Sequence, residues 1–177
     1  MTEGSKILLH TCCGPCASAS VERLRKEGYE PVLYYANSNI WPENEWDKRR
    51  LSVERLADIL NAELIIEPYA HDEWKQRVRG FEAEPEGGPR CRACFAYNLK
   101  LAAAKTRDTG INRFTTTLTI SPHKNSGIIF SVGNRSDRFL PVDFKKRSGF
   151  NRSIELSKKF DLYRQSYCGC EYSIRKL

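Results

Sequence analysis

The chain has 177 residues, of which 40% are hydrophobic and 29% are charged, and its formal net charge is +7. This length and apolar content suit one globular domain, and no run approaches the roughly 20 apolar residues of a membrane helix. The short polar N-terminus also lacks the apolar region of a signal peptide. We therefore predict a single domain over residues 1–177, cytoplasmic and without a membrane partner.

Predicted strands and helices alternate along the first half of the chain. Runs rich in β-branched and aromatic residues predict strands, and apolar residues at helical spacing predict helices. In chain order these are a strand over 6–10, a helix over 17–27, a strand over 31–36, a helix over 42–60, a strand over 64–66 and a helix over 71–79.

The second half follows a turn-rich connector at 82–89. Its predicted elements are a helix over 91–109, a β-prone segment over 113–119, a helix over 122–132, a strand over 140–142 and a helix over 153–160. The alternation predicts an α/β fold, a Rossmann-like sandwich in which helices cover a parallel sheet. In such folds ligands bind beyond the carboxyl ends of the strands, near the point where the strand order reverses.

Charge is distributed unevenly along the chain. Residues 1–88 contain 11 Lys/Arg and 16 Asp/Glu, a balance of −5, whereas residues 89–177 contain 18 and 6, a balance of +12. One basic face is typical of nucleic-acid-binding proteins, although a solvated, lysine-rich surface has the same composition. We predict that the basic C-terminal part, from about residue 135 to 177, forms an RNA-binding surface.

Seven cysteines fall into three groups, which are Cys12-Cys13-Gly14-Pro15-Cys16, Cys91-Arg92-Ala93-Cys94 and Cys168-Gly169-Cys170. An odd number cannot be paired completely in disulfides. In a reducing compartment such groups are more often metal-binding or catalytic than structural.

The first group directly follows the first predicted strand. Cys12 and Cys13 can serve one site only in a turn, which Gly14 and Pro15 favour, because adjacent strand residues point to opposite faces. The N-terminus of the next helix would favour thiolates, the form that binds iron. The alternative is a thioredoxin-like redox pair of Cys13 and Cys16, which share the C-x-x-C spacing.

The second group, Cys91 and Cys94, has the spacing at which two sulfurs on a helical turn reach one metal or cluster. Alone it would be half of a zinc site. Together with the first group it offers five thiolates, whereas zinc takes four ligands. Five suit a cluster with an additional metal, or a cluster with a nearby redox thiol.

The remaining polar motifs lie in the second half. Cys168 and Cys170 are interpreted as a disulfide or redox relay in preference to accessory ligands. In the segment 115–125, His123 or Lys124 could supply a proton, although His123 could equally cap a helix or lie on the surface. The segment 144–152 mixes cations with aromatic rings, as RNA-contacting loops do. Its candidate RNA-binding residues are Lys145, Lys146, Arg147 and Arg152.

These motifs resemble those of the QueH family of epoxyqueuosine reductases over nearly the whole chain. The resembling segments are LLHTCCGPC (8–16), YYANSNIWPENEWDKR (34–49), EPEGGPRCRACF (84–95), FTTTLTISPHKN (114–125), LPVDFKKRSGFNRSIELSKKF (140–160) and LYRQSYCGC (162–170). The resemblance implies a fold related to the adenine nucleotide α-hydrolases, the HUP fold. It also implies reduction of the epoxide of epoxyqueuosine at the tRNA wobble position.

The resemblance further implies a [4Fe–4S] cluster with an adjacent iron or other divalent metal, and no cobalamin. At the matching positions Cys12, Cys13, Cys91 and Cys94 would hold the cluster and second metal. Cys16 would join the metal ligands at a position where aspartate also occurs in the family.

A mechanism follows as a hypothesis. Two electrons pass from the cluster to the epoxide, the second metal acts as a Lewis acid, and His123 or Lys124 protonates the departing oxygen. The partners would be the anticodon stem-loop of tRNA and an electron donor such as a ferredoxin or flavodoxin. The alternatives are a zinc-stabilised RNA-binding module and a thiol–disulfide oxidoreductase.

Overall fold

The computed structural model describes residues 4–174, and these contain a four-stranded sheet in the order β3-β2-β1-β4. The strands are β1 (Ser5–His10), β2 (Tyr29–Tyr35), β3 (Leu64–Ile66) and β4 (Phe114–Thr116), and every pair is parallel. The predicted α/β fold is confirmed. The single-domain prediction also covers 1–3 and 175–177, which lie outside the described residues.

Six α-helices connect and cover the strands in the described part of the chain. They are α1 (Gly14–Lys26), α2 (Glu43–Leu60), α3 (His71–Val78), α4 (Pro89–Thr109), α5 (Ser126–Gly133) and α6 (Gly149–Lys159). A short 3₁₀ helix at Thr117–Ile120 lies between β4 and α5, and another at Glu171–Ser173 lies after α6. Over residues 4–174, no helix is both long and apolar enough to cross a membrane.

Two hydrophobic cores lie on opposite faces of the sheet, because successive strand side chains alternate in direction. Ile7 and Leu9 of β1 pack into one core with α1, α2 and α6, whereas Leu8 packs into the other with α4 and α5. β1 lies inside the sheet and its second half is buried on both faces, which explains the apolar run from Ile7 to Leu9.

Several helices begin at points that the sequence placed differently. α1 begins at Gly14 instead of residue 17, because Cys13 acts as its N-cap and Pro15 occupies its first turn. α5 begins at Ser126 instead of residue 122, where the Asn125 side chain accepts hydrogen bonds from two backbone N–H groups. Arg152, predicted in a loop, lies in α6.

The strand predicted over 140–142 is wrong. Only an isolated bridge forms, between Phe139 and Phe114, and the Leu140 N–H donates to the Phe114 carbonyl at 2.8 Å. Pro141 has no N–H to continue a ladder. The Val142 carbonyl accepts instead from Thr119 Oγ1 at 2.8 Å, so the chain turns across the end of β4.

Candidate metal centre

The first cysteine group lies where the strand order reverses. β1 leads through α1 to β2 on one side, whereas its other neighbour is β4, so the crevice opens between the ends of β1 and β4. Cys12 follows β1 and Thr117 follows β4. The Cys12 N–H donates to Thr117 Oγ1 at 3.0 Å, and that hydroxyl donates to the Cys12 sulfur at 3.2 Å.

Cys12, Cys13 and Cys16 form one potential ligand set, with all three sulfurs within 4.8 Å of one another. The turn is compact because α1 begins tightly against α2: a β-carbon at Gly14 would collide with Ser52. The Cys16 N–H then donates to Cys13 Sγ at 3.4 Å, as the first turn of a helix allows. This geometry can hold a metal ion.

The three sulfurs differ in their affinity for a proton. Hydrogen bonds from Cys12 and Cys16 hold the pKa of Cys13 well below its usual value. The bond to Cys13 raises the pKa of Cys12 to about 11, and the neighbouring thiols and burial raise the pKa of Cys16. Three thiolates this close together repel one another, so a bound cation is what would allow all three to ionise.

Cys91 and Cys94 lie in the first turns of α4, as predicted. The Gly87 N–H donates to Cys91 Sγ at 3.2 Å, and burial raises the pKa of both thiols. Cys94 lines the same cavity of about 840 Å³ as Cys12 and Cys16. The pair does not belong to the 4.8 Å set among the described residues, and a cluster, which is larger than one ion, could join it to the first group across this cavity.

The surroundings of the sulfurs suit a cluster. Thr117 and Gly87 donate hydrogen bonds to sulfur, the kind of contact that tunes iron–sulfur centres. Cys94 packs against the hydrophobic group that contains Trp74, and a hydrogen bond from the Trp74 indole N–H acts on its thiol, lowering a pKa that burial raises. Trp74 is therefore a third donor directed at a cysteine sulfur of the site.

Lys124 and His123 both line the cavity, but they differ in environment. Lys124 is half-buried and lies within hydrogen-bonding reach of Cys168. Burial alone would lower the pKa of Lys124, but nearby cysteines, Cys168 first, outweigh burial and hold the pKa above its usual value. His123 is exposed at the rim. The proton-donor role of either remains a prediction.

The third cysteine group is held beside the cavity by α2. Arg49 Nη1 donates to the Cys168 carbonyl at 2.9 Å. Gly169 has φ +137°, and a β-carbon there would lie 3.0 Å from the Arg49 guanidinium, so this position requires glycine. All seven cysteines are free thiols, and a Cys168–Cys170 disulfide or relay stays a prediction.

The predicted RNA-binding residues are in different situations. Lys146 and Arg147 are exposed. Lys145 Nζ instead donates to the Thr119 and Lys124 carbonyls at 2.9 Å, so it holds the loop that carries Lys124. Arg152 is exposed but paired with Glu22 at 2.8 Å and with Glu155 at 2.9 Å. Arg147 Nη1 likewise lies 3.4 Å from Glu27 Oε1, so of the four Lys146 is the most available to a phosphate.

Two residues at the site were not predicted from the sequence. Gln165 Nε2 donates to Cys13 Sγ at 3.2 Å, and buried Arg49 holds the segment around Cys168. Both lie inside the segments that carry the family resemblance, but neither residue type signals a role by its spacing. His10 lies beneath the site with Nδ1 2.9 Å from Thr116 Oγ1, and burial lowers its pKa to about 4.

The fold and site define an α/β protein whose ligand-binding edge holds a group of thiolates. A solved structure described as a predicted subunit of tRNA methyltransferase from Methanocaldococcus jannaschii matches with a TM-score of 0.58 and 16% identity. It covers 85% of this chain and 74% of that one. This likeness confirms the fold.

Sequence comparison identifies the family. The model for "Epoxyqueuosine reductase QueH" matches residues 7–176. Proteins with that name are 41% identical in Streptococcus pyogenes serotype M1, over 96% of this chain and 70% of that protein, and 36% identical in Acinetobacter baylyi, over 96% and 81%. The Thermotoga maritima protein is 30% identical over 95% and 90%. The chain belongs to the QueH family and is an oxidoreductase.

Proposed function

We propose that this chain reduces epoxyqueuosine in tRNA to queuosine, using a [4Fe–4S] cluster and an adjacent iron or other divalent metal. The observation that carries the proposal is the meeting of Cys12, Cys13 and Cys16 at the switch point, in a cavity that Cys94 also lines. The similarity to proteins named epoxyqueuosine reductase supplies the substrate.

The cluster would be held by four cysteines, Cys12, Cys13, Cys91 and Cys94. Cys16 would be a ligand of the second metal. When bound, these groups supply electrons singly and Lewis acidity. Removal of the epoxide oxygen as water, leaving a carbon–carbon double bond, consumes two electrons and two protons. An external donor such as a ferredoxin or flavodoxin would supply the electrons.

Lys124 is the better placed of the two proton donors. Its ammonium group lies within hydrogen-bonding reach of Cys168 and near enough to Cys12 and Cys16 to interact with their charges, on a loop that Lys145 fixes. From there it can hold a proton at the departing oxygen. His123, at the rim, would exchange protons with solvent instead.

The substrate would enter as a flipped nucleotide. The cavity of about 840 Å³ has the size of small-molecule sites, and an unpaired anticodon loop can extend a base without breaking a helix. Two aromatic side chains, Trp41 (41% exposed) and Tyr163 (39%), are each next in the chain to a residue that lines the cavity. Their rings could stack on the bases that neighbour the flipped nucleotide. The Trp41 N–H donates to the Gly169 carbonyl at 2.9 Å, which fixes this residue next to the site.

The test is anaerobic purification with iron and sulfide analysis, followed by assay on tRNA that contains epoxyqueuosine. A brown protein with about four or more irons per chain that forms queuosine, detected by mass spectrometry of the nucleosides, supports the proposal. A colourless zinc protein after cluster reconstitution would favour the RNA-binding module. Thiol–disulfide exchange without any metal would favour a thiol oxidoreductase.

A further inference from the structure

Gln165 contacts the candidate metal centre through its side-chain amide. It lies between α6 and Cys168, and its Nε2 donates to Cys13 Sγ at 3.2 Å. Its other amide atom, Oε1, is buried without a hydrogen-bond partner in the described residues. The contact that the Gln165 amide makes is thus with the Cys13 sulfur. Gln165 is not among the metal ligands that the family resemblance implies.

The segment around Gln165 is fixed by contacts on both sides. Tyr163 donates to Glu45 Oε2 at 2.7 Å, and Arg164 Nη1 donates to Ser157 Oγ at 3.1 Å. On the other side, Arg49 Nη2 donates to the Tyr167 carbonyl at 3.2 Å. These anchors hold the backbone in register, so the amide is presented to the sulfur without further rearrangement.

A metal-bound cysteine has no proton to donate, so only the N–H side of the amide can face Cys13 in the loaded protein. An N–H···S bond strengthens as negative charge on the sulfur grows. When the bound group gains an electron, its sulfurs become more negative. The bond therefore favours the reduced state, and hydrogen bonds to sulfur are one of the determinants of cluster potential.

We propose that Gln165 is a positioning residue that donates to the metal-bound sulfur of Cys13 and stabilises the reduced form of the group held there. The inference rests on the proposed function, because it assumes a redox-active group at this site. It adds a residue that sets how readily the enzyme accepts its electrons.

The first readout is the reduction potential of the loaded protein, measured by titration of the visible absorption. Gln165→Leu keeps the approximate size but removes the donor. We expect about a tenfold lower ratio of reduced to oxidised cluster at a fixed potential, a 59 mV decrease for a one-electron couple, with unchanged iron content. Ser166→Ala, at the exposed next residue, is the matched control and should leave the potential unchanged.

The second readout does not require an iron–sulfur cluster. Cobalt(II) alone, added to the metal-free chain, reports on its thiolate ligands through a sulfur-to-metal charge-transfer band. Loss of the N–H···S bond raises the energy of the sulfur electrons, so the band should move to longer wavelength in Gln165→Leu and not in Ser166→Ala.

The two readouts separate the possible failures. An unchanged potential in cluster-loaded Gln165→Leu overturns the inference. If neither wild type nor variant accepts a cluster, the proposal of an iron–sulfur cofactor is wrong, and the cobalt band alone tests the role of Gln165. A shift of the band then supports a hydrogen bond from Gln165 to metal-bound Cys13, and an unchanged band overturns it.

Discussion

Arg49 Nη1 lies 2.9 Å from the carbonyl oxygen of Cys168 and so joins α2 to the C-terminal cysteine pair. Arg49 is 1% exposed, and its Nε donates to Glu45 Oε1 at 2.8 Å. The guanidinium also lies over the Tyr167 ring, 5.2 Å from its centroid. One buried cation therefore helps to fix where the third cysteine group lies relative to the other two.

Removal of this cation should destabilise the fold as well as the site. Arg49→Met leaves the Glu45 carboxylate buried without its cation and with the Tyr163 hydroxyl as its remaining donor, which costs about 3 kcal/mol or more of unfolding free energy. The measurement is urea denaturation of the purified chain. Arg50→Met is the matched control, because Arg50 pairs with Asp47 and Glu54 near the surface and should cost less than about 1 kcal/mol. Equal losses in the two variants would contradict the assigned role of Arg49.

Serine variants should divide the cysteines into ligands and non-ligands. A [4Fe–4S] site uses four thiolates, so the loss of any one proposed ligand should abolish the cluster. The four variants are Cys12→Ser, Cys13→Ser, Cys91→Ser and Cys94→Ser. The control variants are Cys168→Ser and Cys170→Ser, which should retain their iron and the visible absorption of the cluster. They show whether cluster is lost during purification for reasons other than a missing ligand. Iron and sulfide content per chain is the measurement, and a brown Cys91→Ser protein would refute the assigned ligands.

Lys124 and His123 should differ in their effect on turnover. Lys124→Met removes a proton donor at the cysteine group and should lower kcat at least about 100-fold. His123→Gln changes an exposed rim residue and should lower kcat less than about tenfold, well below the contribution of a general acid. Both variants should keep their cluster. The reverse order of the two effects would move the proton-donor role to His123.

Lys146 and Arg147 should contribute to tRNA affinity through phosphate contacts. The double variant Lys146→Ala/Arg147→Ala should bind tRNA more weakly and decrease the slope of log affinity against log salt by about 1.4 to 1.8. Lys100→Ala, which removes an exposed cation on α4, is the control. A slope that does not change would show that RNA does not contact this loop.

The pair Glu22–Arg152, which joins α1 to α6 at 2.8 Å, should make stability depend on pH. Hydrogen bonds from Arg152 first and then Lys26 lower the pKa of Glu22 below its ordinary 4.5. The stabilisation is therefore full above the unfolded-state pKa and is lost as pH falls through the folded-state pKa. We expect Glu22→Gln to be slightly less stable than wild type at pH 7, with the difference closing in acid.

Thermal unfolding between pH 7 and pH 3 measures this closure. Because Glu22 also pairs with Lys26, a double-mutant cycle isolates the Glu22–Arg152 pair: Glu22→Gln/Arg152→Gln should lose less stability at pH 7 than the sum of the two single losses. A stability gap between Glu22→Gln and wild type that persists at pH 3 would assign the effect to packing.

The amino-acid sequence by itself determined the α/β alternation, the family and the three cysteine groups, because strand periodicity and cysteine spacing are local properties of the chain. It also placed the first group at the ligand-binding edge, since a residue directly after a central strand can lie nowhere else. Only the tertiary structure decided that Arg49 holds Cys168, that Gln165 contacts Cys13 and that Lys145 supports a loop. These contacts join residues 19 to 152 positions apart, and no local pattern encodes such pairs, because their geometry arises only when the helices pack on the sheet.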